Sequence, residues 1–401
     1  MRIGIDARFY GPIGKGLGRY TQEVVDNLMK MTSAFPAIDG EVSFNYVIFL
    51  SPENFDEFIV EDGQPIEKVL LPIRWYSLAE QLIMPFYIWR AKLDLMHFPH
   101  FNVPILTPVK FVVTIHDLIL THFPTIRATT RSPFLYYFKN LAYRLIIFTA
   151  VKRARRIITV SEFTKNDLAA KFKVQPEKIT VTYEGVANLA KGRDSLFIAK
   201  LDKQETLEQY HTARNFLLYV GNAYPHKNLE TLIKVFSKLH SERPELRLVL
   251  VGKEDYFYGL VEKYAGSLNL WQKGNLNSPV VFPGYVPDAQ LEVLYSEARA
   301  YIFPSLYEGF GLPPLEAMAR QCPVASSNRA SLPEVLGEAA LYFDPQNETE
   351  MLSKIKLILN DDDLRARLIA AGLKQIKKYN WWQCAYQTEQ VYRRALKIKI
   401  R

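Results

Sequence analysis

Short apolar runs alternate with helical patterns along the whole chain, and the alternation starts again in the second half. In the first half, the sequence predicts strands at Arg2–Asp6, Tyr46–Leu50 and Phe111–His116. In the second half, the series restarts at Phe216–Val220 and continues through Ala300–Phe303. Strands that alternate with helices build parallel sheets from βαβ units. The sequence therefore predicts an α/β fold with two Rossmann-like, doubly wound domains.

The length and spacing of these runs predict the domain boundaries. A chain of 401 residues exceeds the roughly 250–300 residues that one core supports. Residues 187–214 carry many charges and no clear period, so we predict a linker region there, between an N-terminal domain at 1–186 and a C-terminal domain at 215–380. The last segment, 381–401, is predicted to be a helix that packs back on the N-terminal domain. Doubly wound domains bind ligands at the carboxyl ends of their strands, so we expect the two domains to face each other across a deep, ligand-binding cleft.

The charge balance and the cysteines narrow the classes of partner. The chain has 50 Lys+Arg against 42 Asp+Glu, an excess that suits an anionic ligand or an anionic membrane surface. Nucleic acid is disfavoured because the charge is dispersed and no nucleic-acid reading motif is present. Two cysteines, Cys322 and Cys384, form no disulfide framework and favour a reducing cytoplasm. The N-terminus leads straight into a strand and no run of about 18 apolar residues occurs, so we expect neither a signal peptide nor a membrane span.

The segment Ser305–Glu316 is the most informative motif in the chain. An apolar strand leads into a Gly-Phe-Gly turn at 309–311, and Pro313 and Pro314 mark the start of a helix. Free backbone amides at a helix start attract anions, phosphate above all. Glu308 and Glu316 flank this turn and could accept hydrogen bonds from ligand hydroxyls. A sugar joined to a nucleotide diphosphate would use this combination of acceptors and amides.

Two further loops follow strands and precede helices. In Gly221–Asn228, Lys227 stands just before a helix and could neutralise a phosphate, although a solvated lysine would give the same pattern. In Gly11–Gly18, glycines such as Gly16 would let the backbone approach a diphosphate, although a tight turn would also need them. This first loop does not match a dinucleotide-binding fingerprint.

Histidines and acidic clusters raise the question of a metal. His116 ends a predicted strand, where it could face the cleft or make a structural hydrogen bond. His97 and His100 end the preceding strand, but the spacing of the three fits no metal-ligand set. The acidic run Asp361–Asp363 precedes a helical pattern and is predicted to cap that helix. We therefore expect no metal site.

Residues 136–158 interleave aromatic and basic side chains. Such a helix could rest on an anionic bilayer, with its rings at the interface and its bases on lipid phosphates. It could equally be a buried helix with a charged end.

The order and spacing of these motifs resemble those of the retaining, nucleotide-sugar-dependent glycosyltransferases of family 4, which have the two-domain GT-B fold. The resemblance spans nearly the whole chain. It also includes the segments Glu80–Gln81, Asp94–His97, Thr114–Leu118, Thr159–Thr164, Tyr183–Val186 and Ser331–Ala340. Within the family, the chain is most similar to bacterial mannosyltransferases that build surface polysaccharides.

The resemblance implies a role for each candidate residue of the site. Glu316 would hold the ribose hydroxyls of the donor, and Glu308 the hydroxyls of the transferred sugar. Lys227 would lie on the distal phosphate, with Gly16 closing over it, and His116 would contact the sugar near its reacting carbon. The remaining donor contacts would be the amides of Phe310, Gly311 and Leu312, the backbone around Tyr285 and Val286 for the base, and Asn222, which stands where many members carry arginine.

The resemblance also implies the reaction. A hexose, with mannose from GDP-mannose favoured over a UDP-sugar, would pass to a glycan or lipid-linked acceptor, with no cofactor and no metal. The protein would be cytoplasmic, with peripheral attachment to the inner face of the cytoplasmic membrane as a further expectation. A sugar-nucleotide epimerase or hydrolase of the same fold is an alternative, and a nicotinamide-dependent oxidoreductase is a weaker one.

Overall fold

The computed structural model describes residues 1–34, 42–123, 133–186, 202–212 and 215–398. The chain divides into two compact units. Unit 1 comprises Met1–Gly185 and Asn380–Arg401, and unit 2 comprises Val186–Tyr379. The predicted linker region, 187–214, lies largely outside the described residues.

The described residues of unit 1 contain a parallel sheet of seven strands. Their order across the sheet is β3-β2-β1-β4-β5-β6-β7. Strands such as Phe111–Ile115 are buried along their whole length, as expected for a parallel sheet covered on both faces. The strands are β1 (Arg2–Asp6), β2 (Asn45–Leu50), β3 (Ile66–Leu70), β4 (Leu95–Phe98), β5 (Phe111–Ile115), β6 (Arg156–Thr159) and β7 (Ile179–Val181).

Helices connect these strands and cover the sheet. Those in the described part of unit 1 are α1 (Lys15–Ala34), α2 (Leu78–Arg90), α3 (Ile119–His122), α4 (Pro133–Arg153), α5 (Glu162–Phe172) and the C-terminal α14 (Trp381–Leu396). Helices α2 and α4 pack on one core cluster with the sheet, through residues such as Met84, Ile88, Ile147 and Val151. The C-terminal helix α14 lies against α1 and against strands β4–β6.

The loop that follows β1 is shorter than the sequence predicted. A single 3-10 turn, Pro12–Gly14, leads directly into α1, so Gly16 and Gly18 belong to the first turns of that helix. A Cβ atom on Gly18 would lie 2.1 Å from the carbonyl oxygen of Gly11 and 2.6 Å from that of Phe9. Gly18 therefore allows the helix to pack on the preceding loop. A Cβ atom on Gly16 would meet no atom within 4 Å.

The described residues of unit 2 contain a second parallel sheet, of six strands, in the order β10-β9-β8-β11-β12-β13. Relative to its own first strand this is the order 3-2-1-4-5-6, which is that of a Rossmann sheet. The strands are β8 (Phe216–Val220), β9 (Arg247–Val251), β10 (Val280–Gly284), β11 (Ala300–Phe303), β12 (Val324–Ser327) and β13 (Ala340–Phe343).

The helices described in unit 2 are α6 (Lys203–Gln209), α7 (Leu229–Glu242), α8 (Tyr256–Ser267), α9 (Asp288–Glu297), α10 (Leu312–Ala319), α11 (Leu332–Leu336), α12 (Glu348–Asn360) and α13 (Asp362–Gln375). The Asp361 side chain caps α13 by accepting a hydrogen bond from the Leu364 amide, which confirms the predicted cap. In the described part of the chain, no helix is long and apolar enough to cross a membrane.

Candidate functional site

Strands β8 and β11 lie side by side at the centre of the sheet of unit 2. The chain leaves β8 towards β9 on one side and leaves β11 towards β12 on the other. The carboxyl ends of such a strand pair open a crevice, and open α/β sheets bind their ligands there. The loops at 221–228 and 304–311 begin at this crevice.

Two buried tyrosines fix the start of the loop that follows β8. The hydroxyl of Tyr219 donates to the carbonyl of Asn222 at 2.7 Å, and that of Tyr258 donates to the carbonyl of Gly221 at 2.8 Å. Asn222 itself accepts a hydrogen bond from the Tyr224 amide through its side chain. Asn222 therefore stabilises this turn. Its expected contact with the donor stays a prediction.

The end of the same loop is tied to the loop that follows β11. The Leu306 amide donates to the carbonyl of His226 at 2.7 Å. Asn228, with a left-handed φ of 61°, donates from its side chain to the carbonyls of Pro304 and Pro345. Because His226 and Asn228 are both anchored, the residue between them, Lys227, is held in a defined place.

Lys227 and Glu308 form an ion pair in this crevice. The Lys227 ammonium lies 2.6 Å from Oε1 of Glu308, and the two side chains are only 12% and 9% exposed. The ammonium also lies 5.5 Å from the centre of the Phe303 ring. The sequence assigned separate ligand contacts to these two residues, and the structure places them in contact with each other.

The turn between Glu308 and α10 is held by Ser331 and requires a glycine. The buried Ser331 hydroxyl lies 3.0 Å from the carbonyl oxygen of Glu308 and 3.1 Å from that of Phe310. Gly311 has a φ of 100°, and a Cβ atom there would lie 2.8 Å from Cδ2 of Leu332. The turn therefore has a defined shape that no other residue type reproduces without strain.

Helix α10 begins at Leu312, and no side chain caps its N-terminus. The first amides of a helix have no partner within the helix. Pro313 and Pro314 carry no N–H, so the amides that remain at this end are those of Gly311 and Leu312. The Phe310 ring is buried and packs edge-on against Tyr379 at 5.4 Å, so this residue also anchors the turn.

Glu316 is buried on α10, and the Tyr295 hydroxyl donates to its Oε2 at 3.3 Å. The ring of Tyr295 lies 5.7 Å from that of Tyr301. Burial is the main cause that raises the pKa of Tyr301, and the charges of Glu316 and Glu308 add to it. Both carboxylates therefore lie near one buried tyrosine.

Tyr285 and Val286 follow β10 at the same edge of the sheet. Gly284 turns the chain with a φ of 75°, after which Tyr285 is 71% exposed and Val286 is buried. The structure thus presents an exposed aromatic ring next to a buried valine at this edge of the sheet.

His116 and Gly16 belong to unit 1. The His116 ring is bonded on both sides, with Nε2 at 2.9 Å from the Pro99 carbonyl oxygen and Nδ1 at 3.3 Å from Oε1 of Glu184. Burial disfavours the charged ring, but Glu184 and the Pro99 carbonyl outweigh it and raise the pKa of His116 above the ordinary 6.5. The ring of Tyr20, one turn after Gly16 on α1, packs edge-on against His116 at 4.5 Å.

The surroundings of His97 and His100 differ from those of His116, because no carboxylate offsets the effect of burial on their pKa values. His97 is fully buried, with its nitrogens at 2.7 Å from the Tyr392 hydroxyl and 2.9 Å from the Thr114 hydroxyl. Burial lowers the pKa of His97 to about 3 and that of His100 also to about 3. His97 therefore links α14 to the sheet as a neutral, structural side chain.

Sequence reasoning gave no role to Glu184, or to a charged cluster at the end of β1. The buried guanidinium of Arg8 makes a bidentate pair with Asp6 at 2.7 Å and also contacts Glu80. Glu80 in turn accepts hydrogen bonds from Asn102 and from the Tyr76 amide. The sequence did offer a signal for the pair, since Asp6 stands two positions before Arg8 at the end of a predicted strand. It gave none for Glu80, which is distant in sequence from both.

Among the described residues, no group of three or more His, Cys, Asp or Glu side chains is arranged to hold a metal ion.

Two family profiles match the chain. Residues 16–187 match the profile described as "Glycosyltransferase Family 4", and residues 202–375 match "Glycosyl transferases group 1".

The chain is also similar to curated proteins over most of its length. It is 32% identical to the O-antigen chain mannosyltransferase B of Escherichia coli over 303 residues, which are 74% of this chain and 73% of that protein. It is 32% identical to the O-antigen chain mannosyltransferase RfbU of Salmonella typhimurium over 348 residues, 87% of this chain and 88% of that protein.

Solved structures share the fold over nearly the full chain. The sucrose-phosphate synthase of Thermosynechococcus elongatus superposes with a TM-score of 0.70 at 20% identity, with 98% of each chain covered. Anabaena HepE, solved in complex with UDP and glucose, superposes with a TM-score of 0.68 at 17% identity and the same coverage.

Proposed function

Because this chain belongs to glycosyltransferase family 4, and is therefore a hexosyltransferase of the GT-B fold, we propose that it transfers mannose from GDP-mannose to a glycan or lipid-linked acceptor during surface polysaccharide synthesis. The observation that carries the proposal is the Lys227–Glu308 pair beside the uncapped start of α10, at the switch point of a Rossmann sheet. The relatives named as O-antigen mannosyltransferases support mannose as the sugar.

The pair offers one cation and one anion to the two halves of a sugar diphosphate. On donor binding, Lys227 would turn to the distal phosphate, beside the amides of Gly311 and Leu312. Glu308 would then accept hydrogen bonds from hydroxyls of the sugar. Glu316, held by Tyr295, would accept those of the ribose, and the backbone around Tyr285 and Val286 would read the base.

In the reaction, the bond between the anomeric carbon and the phosphate oxygen breaks, and the acceptor oxygen forms the new bond to that carbon. Negative charge grows on the leaving diphosphate, where Lys227 and the helix amides stabilise it. We propose attack from the face that the leaving group occupied, with the acceptor's proton passing to the departing phosphate oxygen. The product then retains the anomeric configuration of the donor.

His116 would contact the donor sugar through the side of its ring that now bonds Glu184. That bond is the longer of the two at 3.3 Å, so a sugar hydroxyl would compete with it more easily than with the Pro99 carbonyl. Glu184 would act as a positioning residue that holds the ring and favours its charge. A contact of Gly16 with the donor phosphate stays a prediction.

We propose that the reaction uses no divalent metal, because Lys227 and the amides of α10 supply the positive charge. Activity that survives EDTA would agree with this proposal. Loss of activity with EDTA, and recovery with Mg²⁺ or Mn²⁺, would contradict it.

The reaction is proposed to take place in the cytoplasm, with the enzyme attached peripherally to the membrane that carries the acceptor. Cys322 and Cys384 are both free and buried, which suits a reducing compartment.

Incubation of the purified protein with GDP-mannose, UDP-glucose and UDP-N-acetylglucosamine, with and without lipid-linked acceptors, tests the proposal. We expect release of GDP from GDP-mannose that increases with acceptor, and an α-linked product by NMR. Consumption of a UDP-sugar alone would overturn the choice of donor. A β-linked product would overturn retention, and a released but untransferred or epimerised sugar would favour a hydrolase or epimerase.

A further inference from the structure

Two helices of unit 1 expose large apolar side chains in stripes. On α2, the exposed residues recur at helical spacing, and Leu82 and Trp89 are 74% and 65% exposed. On α4 the exposed residues recur in the same way. Leu106, in the loop between β4 and β5, is exposed as well. The exposed apolar residues are Leu78, Leu82, Ile83, Phe86, Trp89, Leu106, Phe138, Leu141, Leu145 and Phe148. We call these ten residues the α2–α4 surface.

The two stripes face the same side of unit 1. The opposite faces of α2 and α4 bury Met84, Ile88, Ile147 and Val151 in one core cluster against the sheet. Two helices that pack on one face of a sheet turn their outer faces in the same direction. The stripes are therefore neighbours in space as well as alike in composition.

The loop at 104–107, which lies between β4 and β5 in the chain, is hydrogen-bonded to both helices. Gln81 of α2 accepts a hydrogen bond from the Ile105 amide at 3.0 Å. Arg153 of α4 donates to the carbonyls of Ile105 and Thr107. Leu106, which lies between these anchored residues, is 69% exposed. The loop thus continues the apolar surface from one helix to the other.

The surface is large for a soluble protein. The ten side chains are 44% to 84% exposed. An aromatic side chain carries about 150–250 Å², so the four aromatic ones alone present on the order of 300–550 Å², and six leucine and isoleucine side chains add to this. The largest apolar patch on a typical monomer covers roughly 300–600 Å². An apolar surface of this size indicates that something covers it.

The charges on the same helices are almost all positive. Within α2 and α4 the one carboxylate is that of Glu80, which is fully buried against Arg8. Arg90, Lys139, Arg144 and Lys152 are exposed. Apolar side chains flanked by bases, with no exposed acid on either helix, complement an anionic lipid surface.

We propose that the α2–α4 surface docks on an anionic lipid bilayer, with its apolar side chains among the acyl chains and its bases on the lipid phosphates. The inference deepens the proposed function and rests on it only for the acceptor, since a lipid-linked acceptor is reached at such a surface. A second copy of the chain or a protein partner would be the other occupants of an apolar face.

Co-sedimentation of the full chain with vesicles of phosphatidylethanolamine and phosphatidylglycerol tests the proposal, with pure phosphatidylcholine for comparison. We expect binding to the anionic vesicles that weakens at high salt. Combined substitution of Leu82, Phe86 and Trp89 by serine should weaken binding about tenfold or more. Arg144→Gln and Lys139→Gln should each weaken it about fivefold. Ile59→Ser and Lys263→Gln, which change exposed residues outside the surface, should leave binding unchanged.

No binding by the wild type, or equal binding by the serine variant, would overturn the proposal. So would sedimentation analysis showing a dimer that the serine variant dissociates, because a second copy would then cover the surface. Release of nucleotide from the sugar donor in solution separates the two proposals. Vesicle binding without donor consumption would contradict the proposed transfer reaction alone. Donor consumption without vesicle binding would contradict this inference and the peripheral attachment, and would leave the transfer reaction standing.

Discussion

Lys227 and Glu308 are 81 positions apart in the sequence, and the fold places their charges 2.6 Å apart. Each follows a central strand of the same parallel sheet, so the topology alone brings their loops together. Sequence reasoning identified both residues but assigned each a separate contact. Pairing across such a separation depends on strand order, which no local pattern in the sequence contains.

Lys227→Ala should lower kcat by about 100-fold or more, because a cation aimed at the charge on the leaving diphosphate contributes about 2.7–4 kcal/mol to the transition state. Initial rates at saturating donor measure this. Lys356→Ala removes a lysine that pairs with Glu242 on the surface of the same unit and should change kcat less than about twofold. Equal kcat in the wild type and Lys227→Ala would contradict the role.

Glu184→Gln should lower the pKa of His116, because burial then acts without the opposing carboxylate. The folded pKa of His116 is raised, so its contribution to stability is complete below pH 6.5 and is lost as pH rises through the raised value. The stability advantage of the wild type over Glu184→Gln should therefore shrink as pH increases above 6.5.

NMR titration of the His116 imidazole gives the pKa directly, and denaturation at several pH values gives the stability. Glu177→Gln, an exposed carboxylate in the same unit, should leave the titration unchanged. An unaltered His116 titration in Glu184→Gln would show that the carboxylate does not hold the charge.

At the scale of elements, the five strands predicted above lie within one residue of their observed ends, because buried parallel strands are continuous apolar runs. The structure adds β3, Ile66–Leu70, which the sequence did not indicate. This strand lies at the sheet edge, is only partly buried and contains Glu67 and Lys68, so it lacks the apolar run that marked the others.

The two glycine-containing turns show where local patterns succeed and where they do not. The helix after the Gly-Phe-Gly turn was predicted to start near Pro313 or Pro314, and it begins at Leu312. The predicted loop Gly11–Gly18 was wrong in its second half, since α1 begins at Lys15. Gly18 is required there for packing against Gly11 and Phe9, and a packing requirement cannot be distinguished from a loop by the sequence alone.

Gly311→Ala should destabilise unit 2 by about 1–3 kcal/mol and weaken donor binding, because a Cβ atom at φ of 100° would press on Leu332. Gly259 lies on α8 with no atom within 4 Å of an added Cβ, so Gly259→Ala should stabilise by about 0.5–1 kcal/mol. Thermal denaturation compares the two variants. A neutral Gly311→Ala would mean that the turn relaxes freely.

Tyr392→Phe should cost about 1–3 kcal/mol in the stability of unit 1, since it leaves a buried nitrogen of His97 without its partner. Chemical denaturation followed by a probe in unit 1 measures the loss. Tyr386→Phe, on the same helix but 48% exposed, should be nearly neutral. Equal stability of the two variants would show that the hydrogen bond does not hold α14 in place.

At the scale of the molecule, the chain crosses from unit 1 to unit 2 and returns, so that α14 completes the first unit. The family profiles match both units, and each unit has its own Rossmann strand order. The plan of two domains followed from length and periodicity. For the α4 part of the α2–α4 surface, the sequence left a bilayer-facing helix and a buried helix as equal alternatives, and it did not indicate the α2 part. Apolar residues at helical spacing look the same in sequence whether a helix buries them or exposes them.

We propose that unit 2 holds a guanosine diphosphate sugar between Lys227, Glu308, Glu316 and the start of α10. Calorimetric titration of GDP-mannose into the wild type and into Glu316→Ala tests it most directly. We expect the wild type to bind GDP-mannose more tightly than UDP-glucose. The affinity for GDP-mannose should be at least about tenfold lower in Glu316→Ala, as expected when hydrogen bonds to a charged group are lost. Equal affinity in the two proteins, or no binding of GDP-mannose to the wild type, would contradict it.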